Sequence, residues 1–245
     1  MKKEEVIKNI NPIFLNGIAH RGLHNDEYTE NGLKAFENAI KNNVAFEYDV
    51  HLTKDHKLIV CHDSNLARTT GKDGIIEELT VKEIQDNYHL LDGGIVPTLD
   101  DVFELNKDEV PMVIELKTFK KNYKELALVY REYVKKIKDK KNVMLISFDA
   151  RVLWKLKDLH IMRSLLIWKK RFFMWAVRNS FESLDLDKDI MNKKKVQRYS
   201  KNHFINVWTI EDINELKELS PYIDTATFQY LPVEDVKRVL VNVNN

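Results

Sequence analysis

The sequence has little cysteine, glycine or proline, and its net charge is close to zero. A single cysteine, Cys61, among 245 residues excludes an internal disulfide and favours a reducing compartment. Seven glycines and five prolines form no linker rich in Pro, Gly and Ser, so nothing divides the chain. The net charge of +1 gives no electrostatic reason to expect nucleic acid as a partner.

Long apolar runs are also missing. No stretch reaches the roughly 18 apolar residues of a membrane-spanning helix, and the first five residues lead into no run of signal-peptide length. We therefore expect a soluble, cytoplasmic protein. Hydrophobic residues make up 44% of the chain, enough for one sizeable core, and the length suits one large domain or two small ones.

The apolar pattern alternates between short strands and helices. Eight strands are predicted, at 13–20, 44–50, 112–116, 143–148, 161–167, 183–186, 204–208 and 223–227. Helices are predicted at 31–41, 99–105, 123–137, 150–156, 172–177, 188–200, 211–219 and 233–241. Eight such units favour a closed (β/α)8 barrel. An open, doubly wound sheet is the competitor, and no G-x-G-x-x-G motif supports its dinucleotide-binding form.

The regular alternation is interrupted after the second strand. A strand at 57–60 is followed by a turn at 69–74, and a short helix begins at Thr80 with Glu83 at the capping-box position. We therefore expect a single domain over 1–245, with an inserted subdomain at about 51–110.

Carboxylates mark the ends of two predicted strands. Glu47 and Asp49 are two residues apart and share one strand face, as do Glu115 and Lys117. Catalytic groups in such barrels lie at the carboxyl ends of the strands. Glu47, Asp49 and Glu115 therefore form a candidate site for Mg²⁺ or Ca²⁺, since both prefer oxygen ligands. The alternative is a purely structural network of ion pairs with Lys117 and Arg21.

Two histidines stand at comparable positions. His20 ends the first strand, and His62 follows the strand at 57–60. Histidine titrates near neutral pH, so this pair suits acid-base catalysis. The guanidinium of Arg21 can donate two parallel hydrogen bonds to phosphate oxygens, and Asp63 is expected to order its loop.

The remaining cysteine and histidines are expected to have no catalytic role. Alternation along the strand places Cys61 on the face opposite to His62, as a core cysteine. The other six histidines are expected to be ordinary polar residues, namely His24, His51, His56, His89, His160 and His203.

Two other stretches have weaker functional interpretations. Residues 168–175 combine aromatic and basic side chains, so contact with a membrane surface is an alternative to simple packing on the barrel, though not the favoured one. Ser147 ends a strand but has no nucleophile-elbow sequence around it.

An ordered set of short motifs runs along nearly the whole chain. The motifs are Ala19-His20-Arg21-Gly22, Glu47-Tyr48-Asp49-Val50, Val60-Cys61-His62-Asp63, Leu66-Ala67-Arg68-Thr69-Thr70-Gly71, Pro97-Thr98-Leu99, Glu115-Leu116-Lys117 and Val207-Trp208-Thr209. Together they resemble the glycerophosphodiester phosphodiesterase family, which is similar to the phosphatidylinositol-specific phospholipase C-like phosphodiesterases. Each motif is weak alone, but their order is highly specific.

This resemblance implies a TIM barrel that hydrolyses glycerophosphodiesters to glycerol 3-phosphate and an alcohol. It implies one divalent metal, Mg²⁺ or Ca²⁺ with Mn²⁺ as a further candidate, on Glu47, Asp49 and Glu115. His20 and His62 would be acid and base, and the substrate-binding residues would be Arg21, Lys117 and Trp208. Thr29, Gly32, Asn43 and His56 depart from the family pattern, which leaves substrate preference open.

Three other functions compete with this expectation. A lipid-directed phosphodiesterase, of the lysophospholipase D or sphingomyelinase D kind, would need an apolar route to the site. A non-catalytic barrel could bind phosphate esters, although it would not need both histidines and all three carboxylates. A two-metal amidohydrolase would need an H-x-H strand, and no pair of histidines has that spacing.

Overall fold

In a computed structural model, which describes residues 2–244 and the side chains of residues 2–241, eight parallel strands close into a barrel. The first strand pairs with both the second and the last, which closes the ring. This confirms the predicted (β/α)8 barrel and excludes the open sheet. The strands are β1 (Ile18–Ala19), β2 (Ala45–Leu52), β3 (Leu58–Val60), β4 (Met112–Leu116), β5 (Val143–Ser147), β6 (Met162–Ile167), β7 (Ser183–Asp187), β8 (Phe204–Ile210) and β9 (Thr225–Phe228).

Helices surround the barrel. Among residues 2–244, no helix has the length and apolar character needed to cross a membrane. The α-helices are α1 (Lys3–Lys8), α2 (Leu33–Lys41), α3 (Ala67–Thr70), α4 (Val81–Asn87), α5 (Leu99–Asn106), α6 (Tyr123–Val134), α7 (Ala150–Lys155), α8 (Lys194–Ser200), α9 (Ile213–Leu219) and α10 (Val233–Asn244).

Alternation along the strands separates two apolar layers. On β2, Phe46 and Tyr48 face the helices, and Phe46 stacks on Phe36 of α2 with ring centroids 4.9 Å apart. Ala45 faces inward, where it packs in one cluster with Val113 and Phe204. Apolar side chains therefore fill the amino end of the barrel, which leaves the carboxyl end for polar groups.

The block after β2 has a small core of its own. Strand β3 runs antiparallel to β2 and is not part of the ring. The small core runs from Ile59 to Val96, whereas Leu99 of α5 belongs to the main core. We therefore propose that the inserted subdomain, predicted at about 51–110, ends before α5. Capping boxes begin both α4 and α5, at Thr80 and Thr98, and the first of these confirms the prediction for Glu83.

Strand β1 is shorter than the predicted strand at 13–20. Residues Pro12–Asn16 form a 3-10 helix instead, because the Asn11 side chain accepts a hydrogen bond from the Ile13 N–H at 2.9 Å and Pro12 fits a first helical turn. Gly17, at φ 102°, then redirects the chain into β1.

Two predicted helices also differ. The helix predicted at 172–177 lies within a longer 3-10 segment, Lys169–Ser180. The helix predicted at 188–200 begins with a separate 3-10 turn, Lys188–Ile190, and α8 starts later. One cause is Asp187, whose carboxylate accepts hydrogen bonds from the backbone N–H groups of Lys169 and Asp189 and so caps both segments.

Candidate active site

Three buried carboxylates from neighbouring strands meet inside the barrel. Glu47 and Asp49 lie on β2, and Glu115 lies on β4 directly beside Asp49 in the sheet register. One oxygen from each lies within 4.8 Å of the others. The prediction that Glu47 and Asp49 end their strand is wrong, because pairing with β3 prolongs β2 to Leu52.

Cationic and amide groups surround these carboxylates. Lys117 Nζ lies 3.3 Å from Asp49 Oδ1 and 3.2 Å from Glu115 Oε1. The backbone N–H of Arg21 donates to Glu47 Oε2 at 3.0 Å, and Asn31 Nδ2 donates to Asp49 Oδ2 at the same distance. Part of the negative charge is therefore balanced by the protein itself.

The pKa values of the three carboxyl groups show that their negative charge is only partly balanced. Burial raises the pKa of Glu47 well above its usual value, and the carboxylates of Asp49 and Glu115 raise it further. Burial also raises the pKa of Glu115 to about 7, although Lys117 opposes this. Burial acts on Asp49 too, but Lys117, His62 and Arg21 outweigh it and hold the pKa of Asp49 below its usual range. A further cation would allow all three to ionise.

The donor set fits a hard divalent cation. All three candidate ligands are carboxylates, and Mg²⁺ and Ca²⁺ prefer oxygen ligands. Oδ1 of Asp49 is buried and accepts no hydrogen bond from any residue that the structure describes, although the Lys117 ammonium lies nearby. This oxygen is therefore available to a metal ion.

His20 follows β1 and is held by a neutral amide. Its Nδ1 lies 2.7 Å from Oε1 of Gln229, which follows β9. Gln229 Nε2 donates to the carboxylate of Glu211, so the amide oxygen must face the histidine. Burial, together with the charge of Arg21, lowers the pKa of His20 to about 4.

His62 is held by a carboxylate instead. Its Nδ1 lies 2.7 Å from Asp63 Oδ1, and Arg68 Nε donates to the other oxygen of Asp63 at 2.6 Å. Burial lowers the pKa of His62, while the charge of Asp49 and the hydrogen bond to Asp63 oppose that shift. The two histidines therefore have partners of different charge.

Arg21 and Arg68 share one acidic partner. Arg21 Nη1 donates to Glu30 Oε1 at 2.8 Å, and Arg68 donates to both oxygens of Glu30 at 2.7 and 2.8 Å. Arg21 Nε also lies 3.7 Å from Asp49 Oδ2. This arrangement fixes the Arg21 guanidinium between the loop that carries Glu30 and the carboxylate cluster.

The predicted site residues surround one small cavity and the groove beside it. The cavity has a volume of about 110 Å³, and the groove, of about 800 Å³, shares His62 and Glu115 with it. Lys117 lines the groove, and Asp49 is fully buried. The Trp208 ring packs edge-on against Phe148, with centroids 5.7 Å apart. The predicted residues that line the cavity are His20, Arg21, Glu47, His62, Glu115 and Trp208.

Other candidates from the sequence have structural roles. Ser147 Oγ donates to the Leu116 carbonyl oxygen at 2.8 Å. Cys61 is buried in the small core of the inserted block, as predicted, and burial raises the pKa of its thiol to about 11. His51 lies 2.7 Å from Glu77 Oε1 and 3.1 Å from the His62 carbonyl oxygen, so it supports the loop of His62.

Several polar residues of the site were not predicted. Gln229 and Glu211 are far from His20 in sequence. Asn31, although Glu30-Asn31 is similar to a motif of the family, has no predicted role in the site. Asp185 also lines the cavity, although nothing in its sequence context marks it as functional. Its inward position on β7 could have been found from the alternation Ser183, Asp185, Asp187.

Fold and site together define a (β/α)8 barrel with a candidate carboxylate metal centre inside it. Residues 20–205 match the model of the glycerophosphoryl diester phosphodiesterase family. Because this match covers more than half of the chain, the protein belongs to that family. The resemblance of the motifs is thereby confirmed.

Solved and curated relatives agree with this assignment. A glycerophosphodiester phosphodiesterase structure from Thermotoga maritima superposes with a TM-score of 0.73 at 29% identity, over 92% of this chain and 96% of that one. A glycerophosphodiester phosphodiesterase from Caldanaerobacter subterraneus subsp. tengcongensis is 39% identical over 113 residues, or 41% of this chain and 44% of that protein. The alignments with such bacterial relatives span about half of those proteins' lengths. A lysophospholipase D from Mus musculus is 25% identical over 235 residues, 86% of this chain and 74% of that protein.

Proposed function

We propose that this protein hydrolyses glycerophosphodiesters to glycerol 3-phosphate and an alcohol, with the help of one divalent cation. The observation that carries the proposal is the meeting of three buried carboxylates, two cationic side chains and two differently held histidines at one cavity and the groove beside it. Membership of the family supports the same reaction.

Glu47, Asp49 and Glu115 would hold the cation. Their oxygens favour Mg²⁺ or Ca²⁺, with Mn²⁺ as a further candidate. The bound cation would offset negative charge on the phosphoryl oxygens. Arg21 and Lys117 would bind the same oxygens from the protein side, and Trp208 would line the substrate cavity.

His20 would act as the general base. Its Nδ1–H donates to Gln229, which leaves the lone pair of Nε2 available to a substrate or water hydroxyl. Because burial lowers the pKa of His20 to about 4, the ring is neutral at physiological pH. A neutral ring can accept the proton of the attacking hydroxyl, whether that hydroxyl comes from glycerol or from water.

His62 would act as the general acid. Burial lowers the pKa of His62, and the carboxylate opposite Nδ1 offsets part of that shift in favour of the protonated ring, with Arg68 keeping Asp63 in place. The Gln229 amide gives His20 no comparable charge. The different partners thus support the direction of proton transfer, from the attacking hydroxyl to His20 and from His62 to the departing alcohol.

Metal restoration tests this function. Glycerophosphocholine hydrolysis should stop when EDTA removes the cation and return with Mg²⁺, Ca²⁺ or Mn²⁺. Glu47→Gln, Asp49→Asn and Glu115→Gln should each reduce kcat/KM by about a hundredfold or more. Glu104→Gln, at an exposed position on α5, is the matched control. Full activity in EDTA, or full activity of all three carboxylate variants, would show that the reaction does not depend on a metal.

A lipid-directed activity is the second candidate. Part of the groove beside the cavity is apolar, with Phe119, Phe148 and Met174 among its lining residues. Near it, Phe173 is 72% exposed and Trp168 41% exposed, in a segment that also carries Lys169, Lys170 and Arg171. Such a surface suits a lysophospholipid at a membrane, and the similarity to a mouse lysophospholipase D favours the same activity.

Comparing two substrates separates the two candidates. Glycerophosphocholine and lysophosphatidylcholine share the phosphocholine group and differ in one acyl chain. A headgroup-ester enzyme should turn over the first with the higher kcat/KM, whereas a lipid-directed enzyme should prefer the second. Phe173→Ser should then lower only the lipid activity. A cytoplasmic location and the absence of a nucleic-acid partner stay predictions.

A further inference from the structure

Asp185 is a buried acid with one unused oxygen. It lies on β7 and is only 1% exposed. Its Oδ1 accepts a hydrogen bond from Asn206 Nδ2 at 2.7 Å, whereas Oδ2 has no hydrogen-bond partner among residues 2–241. A buried oxygen of this kind costs free energy unless it meets a donor, so Asp185 requires an explanation.

Its neighbours extend this feature across three strands. Asn206 on β8 also donates to Thr227 Oγ1 on β9, at 2.8 Å, so both amide hydrogens are in use. The Asn206 amide oxygen is buried as well, and no residue within the described part of the chain donates to it. Asp185, Asn206 and Thr227 form what we call the interior wall, in which the Asn206 amide joins the acid to the hydroxyl. Asp185 and Thr227 are the two members that line a cavity.

The interior wall faces the candidate active site. Asp185 and Thr227 line the same cavity of about 110 Å³ as His20, Glu47 and Glu115. On the measure that gives this volume, one water molecule needs only about 10–15 Å³, so a small polyol fits this space. The adjoining groove is several times larger, and its lining combines charged and apolar side chains. The two halves of a phosphodiester can therefore be sorted by size.

We propose that the interior wall binds the hydroxyl groups of the glycerol half of the substrate, and that Asp185 is the residue that determines this specificity. The proposal rests on the proposed function, because the phosphate has to lie between the wall and the carboxylate cluster. The variable alcohol would then occupy the larger groove.

The chemistry of the wall suits hydroxyls rather than phosphate. Phosphoryl oxygens only accept hydrogen bonds, so they pair with Arg21 and Lys117 and gain nothing from the Asn206 amide oxygen or from an ionised Asp185. A hydroxyl both donates and accepts. Burial raises the pKa of Asp185 to about 7, and a hydroxyl can match either protonation state of that carboxyl.

Binding of two phosphate monoesters tests the assignment. Glycerol 3-phosphate and propyl phosphate have the same charge and carbon chain, but only the first has hydroxyls. Calorimetric titration of the protein in Mg²⁺ should show glycerol 3-phosphate binding tighter by roughly tenfold or more. Asp185→Leu should bring the ratio of the two Kd values close to one, and Asp185→Asn should reduce it severalfold.

Control variants distinguish specificity from general damage. Ser164→Ala removes another buried hydroxyl that has no hydrogen-bond partner among residues 2–241, on β6, and should leave the ratio unchanged. If Asp185→Leu does not fold, Asp185→Asn and Thr227→Val carry the test.

If the ratio of the two Kd values is unchanged in the folded variants, the proposal is overturned, and the free oxygen of Asp185 binds only water. Failure of the proposed function would look different, because the wild-type protein would then release no glycerol 3-phosphate from glycerophosphocholine, whatever the ratio of the two Kd values.

Discussion

Gln229 holds His20 in one tautomer across 209 residues of sequence. The Gln229 amide oxygen lies 2.7 Å from His20 Nδ1, and it must accept because the amide nitrogen donates to Glu211. His20 therefore keeps its proton on Nδ1 and presents Nε2 as an acceptor. A polar contact between the ends of β1 and β9 thus prepares one histidine to receive a proton.

Replacing Gln229 by Glu should move the acidic limb of the pH profile. A carboxylate opposite Nδ1 raises the pKa of His20, and a base is lost as pH falls through its pKa. The limb of kcat/KM in Gln229→Glu should therefore lie at higher pH than in the wild type, with little change on the alkaline side. Gln85→Glu, on α4, is the control and should leave the limb in place. An unmoved limb in Gln229→Glu would argue against His20 as the base.

The leaving group should separate the two histidines. A choline leaving group needs a proton from an acid, whereas nitrophenolate leaves without one. His62→Ala and Asp63→Asn should therefore impair hydrolysis of glycerophosphocholine much more than that of a glyceryl nitrophenyl phosphodiester. His20→Ala should impair both equally. Equal losses in His62→Ala on both substrates would contradict its role as the acid.

Lys117 should be needed for stability as well as for binding. Its ammonium lies between two buried carboxylates, which lose their cation in Lys117→Met. Removing one partner of a buried ion pair typically costs about 3–5 kcal/mol. The free energy of unfolding in urea should fall by this order in EDTA, and less in Mg²⁺, because the metal takes over part of the charge. Lys124→Met, at an exposed position on α6, should show neither effect.

Asp185 should make the stability of the protein depend on pH. Because burial raises the pKa of Asp185 to about 7, its contribution to stability is complete below its usual pKa near 3.8 and is lost as pH rises through about 7. Asp185→Asn cannot ionise. Its free energy of unfolding, measured relative to the wild type, should therefore increase from pH 4 to pH 8. A constant difference over that range would show that burial does not raise the pKa of Asp185.

The sequence was most informative where local spacing determines geometry. Glu47 and Asp49 share a strand face because strands alternate, and parallel strands bring Glu115 to the same end of the barrel. By contrast, the contact between Gln229 and His20 depends on closure of the ring, and the bond from Asn206 to Asp185 depends on the register of β7 and β8. Neither relationship has a local sequence signal.

The shortened β1 has another cause. The apolar run at 13–16 resembles a strand, but the local cap from Asn11 and the fixed backbone of Pro12 favour a 3-10 turn. Local hydrogen bonding therefore outweighed the apolar pattern. The boundaries of α8 changed for the same reason, since the Asp187 carboxylate caps a separate turn.

Phosphorus NMR of glycerophosphocholine tests the central claim most directly. With the wild-type protein in Mg²⁺, the diester signal should be replaced by that of glycerol 3-phosphate, and EDTA should stop the conversion. His20→Ala and Glu115→Gln should leave the diester intact under the same conditions. Conversion at the wild-type rate by both variants, or a phosphorus product other than glycerol 3-phosphate, would contradict the account.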